Sequence, residues 1–294
     1  MALALMALAA DVLGEREVIF PEVAALALGL WIADKRMWNV RGYEIPLIMT
    51  ISAVLGVLIT TYLHVHVFWQ LTLALVLSAL MMTAMRIPLI PAIAAILLPV
   101  LLHTESWYYP ASVAIMTTIM AVGTTILQRV GLKSKLPDVT HRQGLTTSAV
   151  KSWLTRYILL FHILLVASLG HWLYAIVPPL VIILIELVNP ENMFRNRPVA
   201  LWIAVVIVAS IGTLSRYFLL ETFSLPYIVA VYTAFLIAIL LLNRKRLMFP
   251  PVPALAIIPF ILPGTYEYFP LAVAIGGAYV IAVPLIYTRF LIRR

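Results

Sequence analysis

Residues 45–63 read IPLIMTISAVLGVLITTYL, a run of nineteen residues without a single Asp, Glu, Lys, Arg or His. As a helix it would rise about 28 Å, close to the ~30 Å of hydrocarbon in a bilayer, and it offers no polar face to water. Ten more runs are predominantly apolar: 20–33, 67–85, 88–102, 108–128, 154–172, 175–188, 199–219, 224–243, 249–263 and 268–288. The pattern predicts an all-α polytopic membrane protein with about 11 transmembrane helices and the lipid bilayer as its principal partner. Composition agrees, since 64% of the 294 residues are hydrophobic and 11% charged, less than half the roughly 25% charged residues of a soluble domain. Mean hydropathy is +1.06. A cytosolic enzyme, a secreted disulfide scaffold and a disordered regulator are excluded. The absence of cysteine removes thiolate chemistry, disulfides and Cys-ligated metals.

Four runs, 20–33, 88–102, 175–188 and 249–263, are short for a full crossing. They are expected to be broken or re-entrant, or to cross as part helix and part extended chain. Lipid tolerates such segments only where their free backbone faces protein or a watery cavity.

The formal net charge of +8 would suggest nucleic acid in a soluble protein, but its placement is topological. Eighteen of the 20 Lys and Arg residues lie in alternate connections between the runs, the pattern of cytoplasmic loops. The intervening connections carry His64 with His66, Glu105, and Arg216 with Glu221 as its balancing charge. Nucleic acid drops out as a partner. The cell membrane is the expected location, with residues 130–152 and the carboxyl terminus cytoplasmic. Met1 to Leu13 lacks the basic front of a signal peptide and is read as a short helix kept in the chain.

Self-comparison divides the protein in two. Met37-Trp38-Asn39-Val40-Arg41 lines up with Met193-Phe194-Arg195-Asn196-Arg197 at an offset of 156, which also carries Ala53 onto Ala209 and Gly56 onto Gly212. At an offset of 162, Pro88-Leu89-Ile90-Pro91-Ala92-Ile93-Ala94 meets Pro250-Pro251-Val252-Pro253-Ala254-Leu255-Ala256, and Glu105 meets Glu267. Residues 1–129 are read as a first membrane repeat with its short amino-terminal helix, 130–152 as a basic cytoplasmic linker and 153–294 as a second repeat. Six crossings per period give the copies one orientation, hence two parallel pseudo-repeats about an axis along the membrane normal. Such a fusion could replace a dimer of single-copy chains; a homo-oligomer of the whole chain is the other arrangement.

On these motifs the chain resembles the HPP family of small integral membrane proteins, named for a His-Pro-Pro-Gly-Gly-Ala-Thr-Ala stretch. Phe249-Pro250-Pro251-Val252-Pro253-Ala254-Leu255-Ala256 has that shape, and Ile87 to Ala94 is a weaker copy. Phe194-Arg195-Asn196-Arg197 and Trp38-Asn39-Val40-Arg41 occupy the place of the family's Pro-Arg-Asn-Val segment. No His precedes either proline group, and Val252-Pro253 and Ile90-Pro91 stand where the family has paired glycines. The resemblance implies two concatenated copies and a passive or secondary transporter, with nitrite as the substrate associated with some members.

The residues also speak for themselves. Pro88, Pro91, Pro250, Pro251 and Pro253 remove backbone donors at the start of short runs, which either builds irregular backbone at a solute path or merely starts helices. Arg195, Asn196, Arg197, Asn39 and Arg41 form a candidate anion-collecting vestibule, or ordinary cytoplasmic charge. Glu186 is the most interior carboxylate of the apolar runs, with Arg195 or Arg197 its expected partner; Glu22 is read as interfacial. His64 and His66 do not share a helix face, and no metal or other cofactor is expected. Asp11, Asp34 and Asp138 cannot assemble the metal-diphosphate site of an intramembrane transferase, so the chain reads as a non-enzyme. The reading is a permease for a small solute or ion, foremost a small inorganic anion, with a non-transporting membrane scaffold as the alternative and an intramembrane enzyme behind both.

The topology has a clean test because the chain has no native cysteine. Cysteines placed at Ser134 and Ser148 should be shielded from an impermeant thiol reagent added outside intact cells; labelling from outside would overturn the cytoplasmic assignment.

Overall fold

The computed structural model describes residues 2–33, 37–134, 139, 146–170 and 172–292. Among these residues every regular element is helical, and the apolar runs become the helices. The chain divides into two compact units, Met1–Lys151 and Ser152–Arg294. Lys35, Arg36, His171, Arg293, Arg294 and most of the linker, at 135–138 and 140–145, lie outside the described residues.

The first unit comprises α1 (Ala2–Leu13), a 3₁₀ turn (Arg16–Val18), α2 (Glu22–Ala27) continued by a π-helical turn (Leu28–Ile32), α3 (Glu44–Tyr62), α4 (Val67–Met85), α5 (Pro91–Leu102) and α6 (Tyr108–Arg129). Next comes α7 (Thr147–Leu169), whose first turn takes up the end of the basic stretch read as linker. The second unit continues with a 3₁₀ turn (Leu173–Ile176), α8 (Pro178–Leu187), a 3₁₀ turn (Met193–Asn196), α9 (Pro198–Ser215) with a π-helical extension (Arg216–Thr222), and α10 (Tyr227–Arg244). It closes with a 3₁₀ turn (Pro253–Ala256), the single α turn α11 (Ile258–Ile261), a 3₁₀ turn (Tyr266–Tyr268) and α12 (Phe269–Ile292).

Seven helices, α3, α4, α6, α7, α9 with its extension, α10 and α12, are long and apolar enough to cross a membrane. This fits a multi-pass membrane protein. Their outer faces display Leu47, Leu73, Val76, Leu80, Ile115, Val122, Val166 and Leu240, an apolar surface that water would penalise and lipid would not. The four short runs became the short elements: α2 with its π turn, α5, α8, and the 3₁₀ turn with α11.

The short elements fill the centres of the units. α5 has no polar side chain, and a helix apolar on every side has to be buried. Residues 91–101 are indeed buried, against α2, α3 and α4. The contact is close because α3 supplies Gly56, where an added Cβ would lie 2.5 Å from the Ile96 carbonyl oxygen. In the second unit Gly212 of α9 stands in the same relation to the Ala256 carbonyl oxygen, at 2.4 Å. The small residues paired in the sequence are therefore the points where a long helix touches the backbone of a short one.

Both short elements follow the same helix ending. Arg86, at φ 57°, closes α4 in the left-handed conformation while the Ile87 amide donates to the Met82 carbonyl. Arg246, at φ 53°, does so after α10 with the Leu247 amide on the Leu242 carbonyl. This ending normally uses glycine, and an arginine there accepts backbone strain while placing a cation beside free carbonyls.

Gly212→Ala should lower the stability of the detergent-solubilised protein by about 1–3 kcal/mol, since its Cβ meets backbone and cannot be accommodated by a rotamer change. Gly42→Ala, where an added Cβ meets nothing within 4 Å, should leave the melting temperature unchanged.

Candidate functional site

The basic loop ahead of α9 is partly committed to structure. α8 ends at Leu187 with free carbonyls, and the Arg195 guanidinium donates to the Leu187 carbonyl oxygen and to Thr288 Oγ1 of α12. Arg156 of α7 donates from Nε to the Ile185 carbonyl at 3.4 Å, and from Nη1 to Ser152 Oγ. Lys133 does the same work in the first unit, donating from Nζ to the Ala33 carbonyl at 2.9 Å beyond the π turn. Cations at helix carboxyl ends answer both the free acceptors and the dipole.

Arg195 keeps a second feature. Partial burial, and next the positive charge of Arg289, lower its pKa below the usual guanidinium value, so two guanidinium groups stand near one another at this end of the second unit. Asn196 and Arg197 beside it are exposed. In the first unit Asn39 is half-buried and Arg41 exposed, with Arg41 Nη1 donating to Tyr43 Oη at 3.0 Å and its amide to Glu44 Oε2 at 2.6 Å.

Glu186 lies near the end of α8 as expected, but its partner differs. The charge facing it is Arg156 of α7, while Arg195 turns to Leu187 and Thr288 and Arg197 stays exposed. The Arg156 position was invisible as a partner because the pairing depends on where a side chain of α7 reaches the end of α8.

The two proline groups differ in the backbone they start. Pro91 is the first residue of a regular helix, α5, whereas Pro253 starts a 3₁₀ turn that becomes a single α turn. Pro88 is exposed ahead of α5; Pro250 and Pro251 are buried in the turn before Pro253. Pro99, inside α5, cannot donate to the Ala95 carbonyl, and Tyr109 Oη of α6 supplies the missing donor at 3.1 Å.

His66 acts as the cap of α4, its Nδ1 accepting from the Phe68 amide at 3.3 Å. Among the described residues no three of His, Asp or Glu come together as metal ligands.

Two groups exceed what the sequence indicated. Arg216 is buried and pairs with Glu221 at 3.0 Å, as its spacing suggested. It also donates from Nη1 to the carbonyls of Pro259 and Leu262 and lies 3.8 Å from the Tyr266 ring centroid, and Tyr266 Oη donates to Glu221 Oε2. Its signals in the sequence were an arginine outside the alternate basic connections and Glu221 five residues on. Glu22 is not interfacial: it is 1% exposed, and neither carboxyl oxygen has a hydrogen-bond partner. Its place at the head of an apolar run suggested a lipid boundary because the sequence does not show α1, α5 and α6 closing around it.

Arg195→Gln should lower the melting temperature, since the partly exposed cap is worth about 1 kcal/mol. Arg197→Gln, with its exposed side chain, should leave it unchanged. Neither a family model, nor a curated protein, nor a solved structure matches the chain.

Proposed function

We propose that the chain is a membrane transporter for a small solute, foremost a small inorganic anion, built from two parallel repeats. The observation that carries this reading is the short, buried element started by a proline in each unit, the helix α5 in the first and the 3₁₀ turn with α11 in the second. Continuous helices satisfy their backbone and pack as passive walls; interrupted ones place backbone ends within membrane depth, where transporters build solute sites. Nothing in a purely structural subunit requires two such interruptions.

The common order of elements in the two units, and the paired endings at Arg86 and Arg246, support the repeat. On this reading all eleven runs cross. The 12 residues of α5 span about 18 Å, and the five residues that follow can extend over roughly 16 Å more. The carboxyl terminus and the basic linker then face the cytoplasm. Arg195 and Arg289 with the exposed Arg197 support an anionic substrate, because neighbouring guanidinium groups attract an oxyanion and gain from its charge. The resemblance to HPP proteins points the same way, towards nitrite-like anions.

The test is uptake of a solute panel by purified protein in liposomes, with the Pro91→Ala/Pro253→Ala double variant beside the parent. Replacing both should favour continuous helix, so anion uptake should fall several-fold while the melting temperature moves by no more than about 4 °C. Arg197→Gln should reduce uptake and its dependence on ionic strength without loss of stability. Parent-like uptake in folded variants would refute the site, and lowered stability with no uptake in the parent would favour a scaffold.

A further inference from the structure

The Glu22 carboxyl group is the most isolated polar group described in the first unit. It opens α2 directly after Pro21, is 1% exposed, and leaves both oxygens without a hydrogen bond. An ionised carboxylate in such a place would forfeit its hydration for nothing, a cost of many kcal/mol on any scale, so the group is accommodated here without charge. A buried acid kept only for packing is costly in either form, because a leucine or methionine would fill the volume without an unmet hydrogen bond.

The elements around it offer no counter-charge. α5 contains no titratable residue, nor does the π turn that follows α2. α1 contributes only Asp11, which is exposed. On the preceding 3₁₀ turn Arg16 is exposed and Glu17 half-buried. α6 brings Tyr109, which senses the Glu22 charge, with Tyr108 exposed beside it and Arg129 at the far end. The Tyr109 hydroxyl proton is already committed to the Ala95 carbonyl that Pro99 leaves open. The remaining favourable influence on the carboxyl group is its own backbone amide. The position 156 residues later is Pro178, so the second unit has no counterpart.

We propose that Glu22 is a reversible proton-binding site within the first unit, holding its proton in this closed arrangement and releasing it when the packing of α2 against α5 and α6 opens to water. On release the O–H bond breaks, the electron pair stays on the carboxylate and the proton passes to water; rebinding reverses both. Proton binding stands on the geometry alone, while its use in driving a solute rests on the transport reading above. A single carboxyl group at the site binds one proton.

The experiment is infrared difference spectroscopy of the full chain in liposomes, titrated from about pH 5 to about pH 9. The parent should show the carbonyl stretch of a protonated carboxylic acid that disappears as pH rises, and Glu22→Gln should lack that band. Glu22→Asp keeps an acid at the site and should shift the band, which decides the assignment if the glutamine variant does not fold. A parent spectrum identical to Glu22→Gln in this region would overturn the proposal. So would a Glu22 band that persists unchanged over the whole range, the mark of a fixed structural acid. Uptake in the same liposomes then addresses coupling: acceleration by an inward proton gradient in the parent and its loss in Glu22→Gln support it, and uptake indifferent to the gradient in both refutes it. A titrating band in a chain that moves no solute would refute the transport reading and leave the proton site standing.

Discussion

A backbone carbonyl that loses its helical partner inside an apolar core cannot turn to water, and this constraint organises both units. The short elements generate such carbonyls at their ends and at internal prolines, and neighbouring side chains answer them one at a time. Tyr109 takes Ala95, Tyr227 takes Phe260 at 3.0 Å, Tyr174 takes Pro263 at 2.8 Å, and Arg216 takes Pro259 and Leu262. Lys133 and Arg195 take Ala33 and Leu187. A buried unmet carbonyl would cost several kcal/mol, so these long polar side chains are conditions for interrupting a helix among apolar neighbours.

This accounts for the kind of residue found at each place. Tyrosine and arginine reach across a helix diameter with an apolar body and a polar tip, so they can be rooted in a long helix and end at the backbone of a short one. Glycine and alanine on α3 and α9 then let the short backbone approach closely enough to be reached. The basic loops consequently combine clustered positive charge with donors that close helix ends. Arg195 holds both, since it caps α8 and still stands beside Arg289.

Glu22 is the exception that gives the rule its use. Other carboxylates are met by a donor or a cation, Glu44 by the Arg41 amide, Glu186 by Arg156, and Glu221 by Arg216 and Tyr266. Gln70 Oε1 and Thr213 Oγ1 are also buried without a partner, but Glu22 is the one carboxyl group among these bare atoms, and a proton is the partner its chemistry can take.

The sequence by itself determined the helical class, the position of each apolar run and the four that would be short, because these depend on local hydrophobicity and length. Residues 67–85 show how closely: the apolar run and α4 coincide end to end. It also singled out Gly56, Gly212 and the proline groups, since their departures from ordinary helix composition are local as well. Only the tertiary structure decided which side chains meet. It assigned Glu186 to Arg156, set Arg195 on Leu187 and Thr288, and buried Glu22. Each of these outcomes depends on the rotation and depth of one helix against another, and hydrophobic runs this uniform leave both nearly unmarked in the sequence, because almost any face of such a helix can be buried at similar gain.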